Sequence, residues 1–518
     1  MHATVHSATL HGIDSVPVEV QAFFGKGLPG VDIVGLGDTA VRESRVRVRS
    51  ALESSGLSLP SRHVVLNLAP ADVKKTGSAL DLPIALALFA AASEATPARL
   101  NGLIVLGELA LSGELRPVRG VLSHLRAAWG RGFLRAVVPM ANAGEASLVN
   151  QLDVRCASTL KDVVQYLLAE CELPRATVTE PGPPPREEPD LSDVRGQRAA
   201  KRALEVAAAG GHNLLMLGPP GTGKTMLARR LGSILPAPAA HEALEIATIA
   251  SAAGVSPPAQ LSEVLRPFRA PHHSASHVSL IGGGHPIRPG EVTLAHGGVL
   301  FLDELPEFSR ATLESLRPTM ESGLAVITRA HERVVWPAQP LVVAAMNPCP
   351  CGYADDAARV CSCSIDRVER YRARISGPLL DRFDMHIALK SVESRTLREG
   401  ERGESSAEVR ARVCAARALS GSRVLGAEQL SAQTEGDALC LLDRAVDSLG
   451  LSVRAYVKAL RVARTIAHLD GSARICAEHV AEAIQYRLLD RSEASTRPRY
   501  VAPPLPEAER PPEAEPAA

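Results

Sequence analysis

Short apolar or alternating stretches recur through the first 173 residues, and their spacing is typical of β-strands. They lie at 15–24, 31–36, 64–68, 105–109, 113–118 and 136–139. Helical periodicity separates them, with an arginine-rich face over 38–55 and an apolar helix that begins near residue 79. Strands mixed with helices predict an α+β domain over residues 1–173.

Residues 191–390 carry apolar runs of strand type, each followed by a turn and a helix-forming segment. The clearest runs lie at 213–217, 298–302 and 341–346. This pattern predicts an α/β core.

The rest of the chain predicts a helical domain and two segments without a core. Helical periodicity alone occupies residues 391–490, which indicates an all-α lid. Residues 174–190 are rich in Pro and Glu and are expected to form a semi-extended linker. Residues 491–518 are rich in Pro, Glu and Ala and are expected to be disordered.

One stretch matches the phosphate-loop pattern G-x-x-x-x-G-K-[ST] at every fixed position. It reads Gly218-Pro219-Pro220-Gly221-Thr222-Gly223-Lys224-Thr225 and lies between an apolar strand and a helix-forming run. The glycines let backbone N–H groups point at phosphate oxygens beside a helix N-terminus. Lys224 is expected to reach the β- and γ-phosphates of ATP, and the Thr225 hydroxyl is expected to ligate Mg²⁺.

Three polar residues follow two of the apolar strands. Asp303 and Glu304 end one strand, and Asn347 ends the next. We expect Asp303 to hold Mg²⁺ through water and Glu304 to polarise the attacking water. Asn347 occupies the position of a polar sensor that orients this water.

Arg382 lies in the segment that follows the sensor strand. It is suited to reach the γ-phosphate bound by a neighbouring subunit. The alternative is a salt bridge to Asp381 or Asp384, which flank it closely in sequence.

Four of the nine cysteines form two C-x-C pairs, at Cys349, Cys351, Cys361 and Cys363. Four thiols can close a tetrahedral Zn²⁺ site, and such a site leaves no open position for a substrate. The alternative is four reduced thiols in a loop. The pattern therefore predicts either a structural Zn²⁺ site or no metal at all.

Composition limits the partners that the chain can have. The 518 residues have a formal net charge of zero and only 3% aromatic residues, so a surface that binds nucleic acid must be local or formed by assembly. The N-terminus has no signal-peptide pattern, and the most apolar stretch is too short to span a bilayer. We expect a cytoplasmic protein with no membrane partner.

Residues 67–83 and 105–123 resemble the proteolytic domain of Lon-type proteases, an S5-like fold. Ser78 falls on the serine position of the protease dyad, and Leu122 falls on the lysine position. Leucine cannot accept the hydroxyl proton, so the resemblance implies a Lon-like domain without protease activity. Ser78 is then expected to cap a helix. Lys74, Lys75 and the arginines of 42–49 form either solvated faces or a DNA-facing surface.

A set of long motifs is similar to the Mg-chelatase-like AAA+ family. They include Pro271-His272-His273-Ser274, Leu280-Ile281-Gly282-Gly283-Gly284, Ala295-His296-Gly297-Gly298 and Asn347-Pro348-Cys349-Pro350-Cys351-Gly352. More narrowly, the chain resembles the YifB/ComM branch, which joins a Lon-like domain to this motor. The resemblance covers about residues 4–491.

The resemblance implies a hexameric ATPase ring that acts on DNA. The expected activity is branch migration during natural transformation or homologous recombination, with recombination proteins as further partners. Val194 and Gln197 would line the base pocket, and Arg454 would contact the γ-phosphate from the lid as a second sensor. Segments 266–292 and 325–337 would project into the ring pore.

Two other functions remain open. A chelatase motor subunit would insert Mg²⁺ into a tetrapyrrole, and a remodelling or regulatory ATPase would act on protein. An ATP-dependent protease is opposed by Leu122.

Overall fold

The computed structural model describes residues 2–93, 97–177, 189–329, 332–354, 356, 359–392, 396, 398, 402–421, 425–487 and 489. The architecture is mixed α/β, with a parallel sheet at its core and helices towards the C-terminus. Residues 178–188 of the expected linker and the expected tail, 491–518, lie outside the described residues. Within the described part of the chain, no helix has both the length and the apolar character needed to cross a membrane.

The N-terminal region contains a seven-stranded mixed sheet. Its elements are β1 (His2–His11), β2 (Asp14–Phe24), β3 (Gly30–Val34), α1 (Thr39–Ser54), β4 (His63–Ala69), α2 (Asp81–Ala92), β5 (Leu103–Val105), β6 (Glu108–Leu109), β7 (Leu115–Arg116), α3 (Val121–Gly130), β8 (Arg135–Pro139), α4 (Ala143–Ala146), β9 (Asp153–Ala157) and α5 (Leu160–Leu167). The strand order is β3-β4-β2-β1-β5-β8-β9. Strand β1 is antiparallel to β2 and parallel to β5, so it joins the two halves of the sheet.

A five-stranded parallel sheet forms the centre of the chain. The elements of this region are α6 (Arg198–Gly210), β10 (Leu214–Leu217), α7 (Lys224–Ile234), α8 (Ala240–Ala253), β11 (Phe268–Arg269), α9 (His277–Ile281), β12 (Gly282–Gly283), β13 (Arg288–Pro289), α10 (Glu291–Leu294), β14 (Val299–Leu302), α11 (Arg310–Ser322), β15 (Leu324–Arg329), β16 (Glu332–Pro337), β17 (Leu341–Met346), α12 (Ile365–Arg372), α13 (Gly377–Leu380) and β18 (Met385–Ala388). The sheet order is β11-β14-β17-β10-β18.

Both faces of this sheet are buried, which explains why its strands are continuous apolar runs. Leu214 and Met216 of β10 face one hydrophobic core, whereas Leu215 between them faces another. Strands β14 and β17 divide their side chains in the same way. The first core continues into the C-terminal helices, and the second lies under α11 and the β15–β16 hairpin.

Among the described residues after β18, five helices pack on the first core. They are α14 (Ser406–Ser420), α15 (Ala427–Ala432), α16 (Gly436–Leu449), α17 (Val453–Leu469) and α18 (Ala477–Gln485). Val413 of α14 and Leu460 of α17 are fully buried in the same cluster as Leu204 of α6. Glu205 of α6 is buried and pairs with Arg202 at 3.2 Å and with Arg412 of α14 at 2.6 Å. The helices therefore share one core with the parallel sheet.

The N-terminal region packs directly on the central region. Helix α3 lies on α8, where the Gly120 N–H donates to the Ser251 carbonyl at 2.9 Å. The turn between β1 and β2 lies on the β15–β16 hairpin. The two are so close at Gly12 that an added Cβ there would lie 2.7 Å from Val334 Cγ1. The segment expected to project into a pore, 325–337, is indeed a hairpin, but one of its faces is buried.

Two expectations for polar and charged residues of the N-terminal region, Ser78 and Lys75, were wrong. Ser78 does not cap α2, which begins three residues later at Asp81; its hydroxyl donates to the Glu108 carboxylate. Lys75 is neither solvated nor DNA-facing, because its side chain is fully buried and its Nζ donates to the Pro70 carbonyl. Lys74 is exposed, as are Arg42, Arg45 and Arg49 on α1.

Arg47 differs from the other α1 arginines because it makes a buried ion pair. Its Nε and Nη2 donate to Asp81 Oδ2 and Oδ1 at 2.8 and 3.0 Å, and the Asp81 side chain is 1% exposed. Burial raises the pKa of Asp81, and the Arg47 hydrogen bond opposes that rise. The pair therefore holds a carboxylate inside the apolar core of this domain.

We predict that Arg47→Met will lower the free energy of unfolding of the N-terminal region by about 3 kcal/mol, because it leaves a buried carboxylate unpaired. The control is Arg49→Met, which removes an exposed pair with Glu53 on the same helix and should leave the unfolding midpoint unchanged. Urea denaturation followed by circular dichroism measures both variants. Equal midpoints would show that the buried pair does not stabilise the fold.

Candidate active site

The phosphate loop connects β10 to α7 at the carboxyl edge of the parallel sheet. The Gly218 N–H donates to the Met346 carbonyl at 3.2 Å, which ties the start of the loop to the end of β17. Gly221 and Gly223 have φ angles of +79° and +88°, a conformation that residues with a Cβ rarely adopt. Lys224 is the first residue of α7, so the loop leads directly into a helix N-terminus.

Lys224 lies in the middle of this loop and is almost completely buried. Its Nζ donates to the carbonyls of Gly218 and Pro219 at 2.6 and 2.9 Å, and to Asn347 Oδ1 at 3.0 Å. Burial lowers the pKa of the Lys224 ammonium, whereas the carboxylates of Asp303 and Glu304 raise it. The sensor strand and the phosphate loop are therefore joined through one cation.

Thr225 and Asp303 form the second connection across the site. The Thr225 hydroxyl donates to Asp303 Oδ2 at 2.7 Å. Hydroxyl and carboxylate oxygens are hard ligands of the type that Mg²⁺ prefers, so these two residues fit the predicted metal position.

Glu304 adopts a left-handed conformation with φ of 51°, and its side chain is 53% exposed. Its backbone N–H donates to Asp303 Oδ1 at 3.0 Å, which fixes the orientation of the Asp303 carboxylate. His273 Nδ1 lies 3.2 Å from Glu304 Oε2. Sequence reasoning missed this histidine as a neighbour of the site, although the His272-His273 motif was a signal for it.

The phosphate loop, Asp303, Glu304 and Asn347 line one cleft of about 410 Å³. Its walls come from the loop, the first turn of α7, and the ends of β14 and β17. Lys224, Thr225, Asp303, Glu304 and Asn347 thus lie together, as the sequence predicts. Gln197 lies beside the loop and donates to the Thr222 carbonyl at 3.2 Å, whereas Val194 is buried in the core.

Arg382 lies at the opposite, amino edge of the sheet. Its carbonyl accepts from Asn213 Nδ2 at 3.2 Å, and Asn213 immediately precedes β10. The side chain is 12% exposed and pairs with Glu321 of α11. The alternative salt bridge to Asp381 or Asp384 is therefore not the pairing observed.

Arg454 lies in the first turn of α17, and its side chain is exposed. It does not line the cleft that contains Lys224. Burial lowers the pKa of Arg382, and the positive charges of Arg454 and Arg317 lower it further. Arg317 and Arg454 of the same chain thus lie close enough to Arg382 for their charges to act on it.

The four cysteines of the C-x-C pairs converge beside Asn347. Cys349 Sγ lies 3.3 Å from Cys351 Sγ and 3.7 Å from Cys361 Sγ, and the four sulfur atoms all lie within 4.8 Å of one another. Backbone N–H groups of Tyr353 and Ser362 lower the pKa of the Cys351 thiol to about 6. Four sulfur atoms at this spacing fit a tetrahedral metal site.

Comparison with known proteins identifies the family. The family "Magnesium chelatase, subunit ChlI" matches residues 190–397, "Subunit ChlI of Mg-chelatase" matches 18–142, and "Magnesium chelatase, subunit ChlI C-terminal" matches 403–487.

Full-length relatives agree with these matches. The chain is 43% identical to the competence protein ComM of Haemophilus influenzae over 512 residues, 94% of this chain and 98% of that protein. It is 43% identical to protein YifB of Escherichia coli over 500 residues, 94% and 97% of the two chains. It is 42% identical to YifB of Salmonella typhimurium over 503 residues, again 94% and 97%. The chain belongs to the YifB/ComM family of Mg-chelatase-like AAA+ ATPases.

Proposed function

We propose that the chain is a ring-forming ATPase that uses ATP hydrolysis to drive DNA branch migration in the cytoplasm, during transformation or recombination. The observation that carries the ATPase part is the convergence of Lys224, Thr225, Asp303, Glu304 and Asn347 in one cleft. The DNA part rests on the similarity to a relative named a competence protein.

In the proposed reaction, the loop amides and Lys224 bind the phosphates of ATP. Thr225 and Asp303 would hold Mg²⁺, which would neutralise charge on the phosphate oxygens. Glu304 polarises the attacking water, and Asn347 orients that water while Lys224 Nζ fixes its Oδ1. The chain's residues therefore supply positioning and charge neutralisation, the two requirements of phosphoryl transfer.

The proposed domain division follows the sequence. Residues 1–173 form a Lon-like domain without the protease dyad, 191–390 form the AAA+ core, and 391–490 form its lid. The bond from Ser78 to Glu108 and the burial of Leu122 support the absence of protease activity. The exposed arginines Arg42, Arg45 and Arg49 are candidates for contacts with DNA phosphates.

Arg382 and Arg454 are proposed to act on ATP bound by a neighbouring subunit. The supporting observations are the position of Arg382 at the sheet edge opposite the phosphate loop and the action of the Arg454 charge on Arg382. An arginine in this position requires a second copy of the chain, which supports a ring; a hexamer is the form we propose. Arg454 would then contact the γ-phosphate from the lid of one subunit across the interface to the next.

We predict that the purified protein will move the branch of a synthetic four-way DNA junction with ATP. Glu304→Gln should bind ATP but lower kcat on the order of 10²-fold, and junction movement should stop with it. The control is Glu307→Gln, three residues further on, which removes an exposed partner of Arg374. Hydrolysis that no DNA structure stimulates, with no junction moved, would reject the DNA assignment and favour a protein or tetrapyrrole complex as the target.

We predict that mixing two inactive variants will restore ATPase activity. Lys224→Ala and Arg382→Ala should each be inactive alone. In rings mixed from equal amounts of the two variants, about a quarter of the sites should keep both groups, because the lysine and the arginine of one site come from different chains. Steady-state hydrolysis against the mixing ratio measures this recovery. If both groups acted on the same chain's ATP, every ratio would stay inactive.

The cysteine cluster is proposed to bind one structural Zn²⁺ per chain, because four thiols leave no position for substrate. Elemental analysis of the purified protein should find one zinc per chain, and Cys361→Ser should lower that content. Cys414→Ser provides the matched control, since Cys414 is an exposed thiol on α14 outside the cluster. A zinc content near zero in the unaltered protein would reject the site.

A further inference from the structure

We infer that the cysteine cluster is a positioning element of the ATPase site, which holds Asn347 and the phosphate loop in register when its metal is bound. This inference rests on the proposed ATPase function and on the proposed zinc site. It assigns to the cluster an effect on hydrolysis, which a purely structural metal elsewhere in the fold would not have.

The first observation is that one short turn contacts the phosphate loop at both of its ends. At one end, Asn347 Oδ1 accepts from Lys224 Nζ at 3.0 Å. At the other end, Gly352 packs on Pro220 so closely that an added Cβ on Gly352 would lie 2.5 Å from Pro220 Cδ. The Gly352 N–H donates to the Cys349 carbonyl at 3.0 Å, which closes the turn between them.

The second observation is that the cluster ties this turn to helix α12. Cys361 and Cys363 directly precede α12 and lie beside Cys349 and Cys351 of the turn. From within α12, Arg372 Nε donates to the Pro348 carbonyl at 3.2 Å, one residue after Asn347. The segment that carries the sensor residue is therefore held by strand β17, by the cluster and by helix α12.

The third observation is that this segment has almost no core of its own. Among the described residues of 350–364, no apolar side chain is buried, and Val360 is 96% exposed. A segment without buried apolar area must be ordered by another interaction. Four metal–sulfur bonds between its two ends supply such an interaction, and binding energy of this kind acts as folding energy.

Because Gly352 and Asn347 both contact the phosphate loop, a well-ordered 350–364 segment is needed for hydrolysis. A displacement of about 1 Å in a positioning group can lower a rate on the order of 10²-fold. Loss of the metal should therefore lower kcat through Asn347 while the loop amides and Lys224 continue to bind ATP. The expected signature is a fall in kcat with little change in KM.

The experiment compares full-length Cys361→Ser, Cys361→His, Asn347→Ala and the double variant Cys361→Ser/Asn347→Ala. Histidine can replace one thiolate in a zinc site, so Cys361→His should keep the metal and the rate. Cys361→Ser should lose zinc and lower kcat on the order of 10²-fold. If the cluster acts through Asn347, the double variant should be no slower than the slower single variant. Cys414→Ser is the control for loss of any thiol.

The possible results distinguish failure of the coupling to Asn347 from failure of the zinc site or of the sensor role. Losses that multiply in the double variant, or a large rise in KM, would overturn the coupling to Asn347. A zinc-free Cys361→Ser protein with the unaltered kcat would overturn the inference but leave the zinc site intact. An Asn347→Ala protein with unaltered kcat would instead reject the sensor role in the proposed function. If Cys361→Ser does not fold, zinc removal from the unaltered protein by a chelator, followed by zinc readdition, gives the same comparison of kcat and KM.

Discussion

The parallel pairing of β10 with β17 and β18 is the constraint on which the rest of the site depends. Leu217 is level with Met346 and with Ala388, and Leu302 of β14 is level with Ala344. The residues that follow these strands must therefore emerge at one edge of the sheet. The phosphate loop, Asp303 and Asn347 are brought together by register, although more than 120 residues separate the loop from Asn347.

The same register keeps Arg382 away from the phosphates of its own chain. Asn213 secures the amino edge, where its side chain accepts from the Val342 N–H at 2.9 Å and donates to the Arg382 carbonyl at 3.2 Å. A strand of four residues separates this edge from the phosphate loop, a rise of about 13 Å. One sheet thus presents a phosphate site on one side and an arginine on the other, an arrangement suited to head-to-tail assembly.

The sequence predicted the site residues best where a short motif defines them. It predicted conformations and ion pairs worst where a residue distant in sequence determines them. The phosphate loop and the carboxylates Asp303 and Glu304 could be placed from sequence, because each follows a strand and the carboxyl ends of parallel strands lie at the same edge of the sheet. Strand β1 was not predicted, since its buried positions include Ala3, Ser7 and Thr9 and its ladder with β2 decides its conformation. Nothing near Arg47 or Arg382 in sequence identifies Asp81 or Glu321 as the partner.

In the proposed ring, the neighbouring charges of Arg317, Arg382 and Arg454 would link nucleotide binding to assembly. Their mutual repulsion is offset within the chain by Glu314 and Glu321 at exposed or half-exposed positions. A γ-phosphate from the neighbouring cleft would offset it further, with charge-assisted bonds that the isolated chain lacks. Because such coupling is reciprocal, ATP must then stabilise the ring by the same free energy by which the ring tightens ATP. If the finger Arg382 and the sensor Arg454 act on a neighbour's ATP as proposed, assembly is a condition of hydrolysis.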